Sequence, residues 1–131
     1  MAYPKDFKYT KTHEYIKVNG KEGVVGLTNY AQHELGDIVF VELPVVGKVF
    51  KQNDVFAVVE SVKAVSDCYA PAGGKVVKVN EKLVEDPSLV NKDPHGDGWI
   101  MVLEIANPAD VNGLMDVATY EKFESEAGSH H

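Results

Sequence analysis

A single cysteine, Cys68, stands in 131 residues. One thiol cannot close an internal disulfide, so the chain makes no demand on an oxidising compartment. No apolar run approaches the roughly 20 residues that cross a bilayer as a helix, and no membrane association is expected. Positive charge is in short supply: 13 Lys+Arg face 20 Asp+Glu, a formal charge of −7 at pH 7. Such a field repels phosphate backbones and speaks against nucleic-acid binding. The first nine residues mix Lys, Asp, Pro and aromatics. They show neither an apolar signal core nor an Arg-rich amphipathic stretch, so no secretory signal and no intact transit peptide is expected. What is present is ordinary globular composition, with 44% hydrophobic and 25% charged residues. That excludes a disordered or collagen-like chain. The expectation is one domain over 1–127, with Gly-Ser-His-His at 128–131 read as a purification-tag remnant and left out of fold and metal arguments.

The interior reads as short strands. Glu14–Val18 and Gly23–Gly26 flank Asn19-Gly20, a dipeptide suited to a tight hairpin. Ile38–Leu43 is β-branched and aromatic and stops at Pro44. Val55–Glu60, Val65–Ala70, Lys75–Asn80 and Gly98–Ala106 follow, separated by turn residues at sandwich-like intervals. Helices are expected only at the edges. Thr28 caps Asn29–Leu35 with Gly36 as the left-handed stop, a turn lies near Pro87–Val90, and Asp110–Met115 and Val117–Phe123 close the chain, the last capped by Asp116. A weak echo links Gly36-Asp37-Ile38-Val39 to Gly74-Lys75-Val76-Val77 and suits two pseudo-equivalent halves, although valine-rich strands also look alike by chance.

The stretch with chemical promise is Val58-Val59-Glu60-Ser61-Val62-Lys63-Ala64-Val65-Ser66-Asp67. Two β-prone runs flank a small polar centre, which places Lys63 near a hairpin tip. There an amine is rigid at its base and accessible at its end, as a modifying enzyme needs to acylate one lysine among many. Acylation would remove the charge and leave Glu60 and Asp67 as unbalanced acids. By periodicity alone, an ordinary solvated lysine on a turn is the commoner outcome.

The stretch resembles the lipoylation hairpin of the glycine cleavage system H-protein family, whose pattern around the modified lysine is Glu-Ser-Val-Lys-Ala. Here it stands intact as Glu60, Ser61, Val62, Lys63 and Ala64. Tyr9 with His13-Glu14, Gly26-Leu27-Thr28, Ala31-Gln32, Leu35-Gly36-Asp37 and Val39–Pro44 are similar to the family's first half. Val79-Asn80, Leu89–Asn91, Gly98-Trp99 and Tyr120 are similar to its second, so the likeness runs from Lys8 to Phe123. It implies a mainly β, barrel-sandwich hybrid fold of the lipoyl-domain type with short peripheral helices, carrying lipoate as an amide on Lys63. It implies no catalysis by the chain itself. The arm would shuttle the aminomethyl group of glycine from the pyridoxal-phosphate P protein to the tetrahydrofolate-dependent T protein. The L protein, dihydrolipoyl dehydrogenase, would then reoxidise it, and a lipoate-attaching enzyme would load it. The loaded amine is cationic and prone to hydrolysis, so a carboxylate-lined cleft is expected. Family likeness points to Glu14 and Asp67 there, with Thr12 as a hydroxyl neighbour and His33 as an arm contact. Tyr15 stands where the family usually has tryptophan, and His95 where it has tyrosine. The implied location is the cytoplasm of a bacterium, or the mitochondrial matrix for a mature eukaryotic form.

The other candidates have blander readings. His13, His33 and His95 match no metal-ligand spacing, and no metal is expected. Cys68 reads as a small buried hydrophobe. Lys75, Lys78 and Lys82 read as solvated, Gly73-Gly74 as a turn, and Trp99 as core. No nucleophile–base pair or oxyanion donor is apparent. Two alternative carriers remain open: an H-like donor handing lipoate to other acceptors, and a lipoyl domain of a 2-oxoacid dehydrogenase complex. A biotinyl hairpin usually reads Met-Lys-Met, unlike Val62-Lys63-Ala64. The acidic field favours basic, salt-sensitive docking partners.

Overall fold

At Asn19-Gly20 the chain reverses as its turn chemistry dictates. In the computed structural model, which describes residues 3–128, Gly20 takes φ +66° between the paired ends Asn19 and Glu22. Strands β1 (Phe7–Tyr9), β2 (Glu14–Asn19) and β3 (Glu22–Leu27) form an antiparallel run. Helix α1 (Asn29–Leu35) follows, then β4 (Ile38–Glu42), β5 (Val49–Phe50), β6 (Val55–Ser61), β7 (Val65–Tyr69) and β8 (Gly74–Val79). Two single-turn helices, α2 (Lys82–Glu85) and α3 (Leu89–Lys92), lead to β9 (Met101–Ile105), α4 (Pro108–Asn112) and α5 (Val117–Gly128).

The strands make two sheets, ordered β1-β2-β3-β9-β8-β5 and β4-β6-β7, every pairing antiparallel. Neither sheet closes on itself, so among the described residues the β-sandwich is open rather than a closed barrel. One core joins them, because Ile16, Val25, Val76 and Leu103 of the larger sheet bury in the same cluster as Val41 and Val59 of the smaller. A second cluster is aromatic. Tyr3, Phe7, Tyr9, Tyr15 and Tyr120 pack where α5 crosses the first strands, with the Tyr9 and Tyr120 rings stacked at 4.6 Å.

Helix α1 covers the expected range. Thr28 Oγ1 accepts the Ala31 N–H at 3.2 Å, and Gly36 ends the helix at φ +80°. Elsewhere local chemistry shifted the boundaries. Helix α4 begins two residues before the expected Asp110, because Asn107 Oδ1 caps Ala109 and Pro108 fits the first turn. Helix α5 runs past Phe123 to Gly128. The stretch read as a tag thus begins on its last helical residue, and 129–131 lie outside the described residues. Strands β1 and β5 and helix α2 have no counterpart in the sequence reading, being too short to show a period. Gly74 opens β8 rather than turning, paired with Phe50 and Ile105, and only glycine fits because a Cβ there would stand 2.1 Å from the Glu104 carbonyl oxygen. Trp99 is only half-buried, with Lys78 Nζ 5.7 Å from its ring, so it is not core. Cys68 is buried as expected. The two echoing valine segments lie in different sheets, one opening β4 and the other β8.

Candidate functional site

The β6–β7 hairpin delivers Lys63 to solvent. Pairing runs from Val55–Tyr69 to Glu60–Val65, and the turn closes with Ser61 N–H donating to Ala64 O at 2.8 Å. The serine hydroxyl oxygen accepts from the backbone N–H groups of Lys63 and Ala64 at 3.3 and 3.1 Å. A serine at this position therefore satisfies tip donors that would otherwise need water. The tip is also tied laterally, since Val62 N–H donates to Asp37 O at 3.0 Å. Val62, Lys63 and Ala64 are exposed, and among the described residues Lys63 makes no ion pair. Its stem passes the end of α1, where a Cβ on Gly36 would lie 3.5 Å from Lys63 Cε. Glu60, half-buried, sits between Phe40 and Val65 in the sheet register.

Beside this tether lies a cleft of about 170 Å³, lined by Thr12, Glu14 and Asp67 together with Leu27, Tyr30 and Glu34. Asp67 stands on β7, four residues along the chain from Lys63. The fold thus gathers three of the four expected cleft residues. His33 does not join them; it is exposed and outside the lining. Helical geometry explains why: Tyr30, Ala31, Glu34 and Leu35 share the face of α1 that meets the cleft, and His33 falls off it. The sequence reading missed Tyr30 and Glu34, although a period of 3.6 counted along α1 would have paired them. It also left His13 as an unremarkable histidine, and His13 lines the cleft too.

Glu14 is 1% exposed and heavily bonded. Its Oε1 accepts from the Thr10 hydroxyl at 2.6 Å and from the Thr12 hydroxyl, while Oε2 accepts from Tyr69 N–H at 3.1 Å. Burial raises its pKa against the lowering pull of these donors. Glu14 therefore straps β2 to the free edge of β7 and forms the rear wall of the cleft. Asp67, by contrast, is exposed.

His13 adopts φ +71°, and its Nδ1 lies 2.7 Å from the Tyr120 hydroxyl, which is 2.8 Å from Thr28 Oγ1. A chain of contacts thus runs from His13 through Tyr120 of α5 to the cap of α1. Burial pulls the His13 pKa down, opposed by the charge of Glu34. The two departures from the family pattern form one unit at this same N-terminal end of α1. The Tyr15 hydroxyl donates to Pro94 O at 2.6 Å, its ring meets His95 edge-on at 5.4 Å, and His95 Nε2 accepts Asn29 N–H at 3.1 Å. Cys68, under the hairpin, has its thiol pushed far up by burial and by the neighbouring acids Glu14 and Asp67, which leaves it unreactive.

Comparison with known proteins agrees with this geometry along almost the whole chain. The model of the family described as glycine cleavage H-protein matches residues 7–127. The glycine cleavage system H protein of Symbiobacterium thermophilum is 58% identical over 123 residues, covering 94% of this chain and 96% of the relative. That of Carboxydothermus hydrogenoformans is 54% identical over 125 residues, covering 95% and 96%. Among solved structures, a glycine cleavage system H protein from Mycobacterium marinum superposes with a TM-score of 0.84 at 36% identity, covering 96% of this chain and 99% of that one. With a pinned lysine hairpin, an adjoining acidic cleft and a match from one end of the fold to the other, the chain belongs to the glycine cleavage H-protein family.

Proposed function

We propose that Lys63 is the lipoyl anchor and that the chain serves as the non-catalytic lipoyl carrier of the glycine cleavage system. The observation that carries this is the Lys63 amine, exposed and, among the described residues, free of ion pairs on a hairpin tip pinned by Ser61 and Asp37, with a carboxylate-lined cleft beside it. The lipoyl group supplies a redox-active sulfur pair at the end of a long tether. The residues of the chain do the rest. Ser61 holds the turn so that Nζ meets an acyl donor in one geometry. Asp67 and Glu34 present carboxylates to an ammonium laid in the cleft, and Thr12 adds a hydroxyl. Glu14 keeps its wall closed against β7, and Leu27 limits the water that reaches a group held there. The partners are the P, T and L proteins of the system together with a lipoate-attaching enzyme.

The same reading takes 1–127 as one lipoyl-carrier domain. A family match over 7–127 favours it over the shorter lipoyl domain of a 2-oxoacid dehydrogenase. The relatives are bacterial, and among the described residues no helix is long and apolar enough to cross a membrane. A cytoplasmic location accords with both.

The test is mass spectrometry of the unmodified protein incubated with lipoate, ATP and a lipoate–protein ligase. A gain of one lipoyl group, mapped to Lys63 and absent from Lys63→Arg, is the expected result. A lipoyl group on any other side chain overturns the assignment.

A further inference from the structure

Strand register leaves one face of the small sheet, Asp67 apart, without a use. Phe40 of β4 stands opposite Glu60 of β6, and Glu60 opposite Val65 of β7. The next row on the same face is Glu42, Val58 and Asp67. Directly paired residues share a face, and the opposite face holds Val41 and Val59, which are buried in the core. The first face is therefore the outer one. It presents Phe40 at 50% exposure and Val65 at 65% on either side of Glu60, with Glu42 and Asp67 in the next row and no cation in either row. Val62, also exposed, extends it to the tip beside Lys63.

We propose that this outer face of β4–β6–β7 is the docking surface for the lipoate-attaching enzyme, whose matching surface sets apolar groups between lysine or arginine side chains. The inference rests on Lys63 being the anchor. Two features select this occupant. An enzyme that acts on a loaded arm is reached through the length of the tether and can stand off from the hairpin. The attaching enzyme has no tether to use: the bare Nζ must itself reach the acyl donor, so the surface contiguous with Lys63 comes into contact. The three carboxylates then call for a basic partner, and the phenyl and isopropyl groups that alternate with them call for apolar contacts.

The experiment is steady-state lipoylation of the full, unmodified chain by a lipoate–protein ligase with lipoate and ATP, read by intact mass. Phe40→Glu, Val65→Glu and Glu42→Lys are compared with Val49→Glu, which changes an equally exposed valine on β5 of the other sheet. Melting temperatures confirm folding, and having two apolar-site face variants, Phe40→Glu and Val65→Glu, guards against one failing to fold. Expected are KM increases of about tenfold for Phe40→Glu and Val65→Glu with kcat little changed, as for residues central to an interface. Glu42→Lys should raise KM and flatten its rise with salt, while Val49→Glu behaves as wild type. Wild-type KM in both face variants overturns the proposal, as does an equal loss in Val49→Glu. Intact lipoylation combined with slowed glycine decarboxylation gives the face to the P protein instead, which also overturns it. Failure of the anchor reading is separate: it shows as lipoyl uptake by Lys63→Arg, whatever the face variants do.

Discussion

Glu14 and Asp67 line one cleft, yet truncating them should have very different consequences. Removing the Glu14 side chain strands the Thr10 hydroxyl and the Tyr69 N–H, which otherwise donate to it at 2.6 and 3.1 Å. Thr12, the third donor, is exposed and can turn to water. Two stranded donors at about 1–3 kcal/mol each imply a loss near 4 kcal/mol for Glu14→Ala, reduced somewhat if water enters from the cleft. At this chain length 1 kcal/mol moves the melting temperature by roughly 3–5 °C, so a fall of roughly 10–20 °C is expected. Asp67 is exposed, and Asp67→Ala should change stability by no more than about 0.5 kcal/mol.

Thermal melting of the unmodified proteins separates the two, and hydrolysis of the loaded arm in the same variants then reads cleft function. Asp67→Ala should speed hydrolysis in a protein of unchanged stability. The pH dependence of Glu14 gives a second check. Its pKa is raised in the folded state, so the fold binds its proton more tightly than the unfolded chain does. That contribution is complete below the unfolded value and is lost as pH rises through the folded one. Glu14→Gln should therefore gain on wild type as pH climbs from about 4.5. Equal melting shifts in the two alanine variants, or a Glu14→Gln variant that loses ground to wild type as pH rises, would refute the account of Glu14 as a buried strap.

His95 must be neutral to accept Asn29 N–H, and burial lowers its pKa. Its contribution is present above the unfolded value near 6.5 and is lost as pH falls towards the folded one, so melting from pH 8 to 5 should show a decline that is shallower in His95→Gln. Gly26→Ala would put a Cβ 2.6 Å from the Tyr15 hydroxyl. A loss of about 1–3 kcal/mol is expected, partly recovered in the double variant with Tyr15→Phe, which chemical denaturation can measure. Ser61→Ala removes the acceptor for Lys63 and Ala64 N–H. Stability should drop by less than about 1 kcal/mol, because water can replace an exposed bond. Lipoylation should nonetheless slow, as the turn loses its single geometry; an unchanged rate would show that Ser61 orders nothing.

Much of this was written locally. Thr28 and Gly36 bracket α1 because a cap and a left-handed stop need only their immediate neighbours. The hairpin around Lys63 was legible for the same reason, with β-branched runs on either side of a serine-led turn. Three of the four expected cleft residues came together, and the one that did not, His33, shows the limit. Likeness to a family names a helix without saying which of its faces turns inward, and a rotation of 100° per residue separates Glu34 from His33. Trp99 failed as core for a related reason: size predicts burial on average, but a ring at a strand's entrance can lie under a lysine stem instead.

The sequence by itself determined the tether: one lysine, its flanking strands and the serine that closes the turn, all within ten residues whose conformations depend on one another. Only the tertiary structure decided what surrounds it. The cleft draws on residues near 12–14, 27–35 and 66–67, which meet because Glu14 crosses to the edge of β7 and α5 clamps His13 against α1. The row Phe40, Glu60 and Val65 exists only once β4, β6 and β7 pair in that register. Spacing along a chain sets which side chains share a strand or a helix face. Which of those faces meet is settled by burying apolar surface while leaving no donor or acceptor unpaired, a condition that the whole fold must satisfy at once.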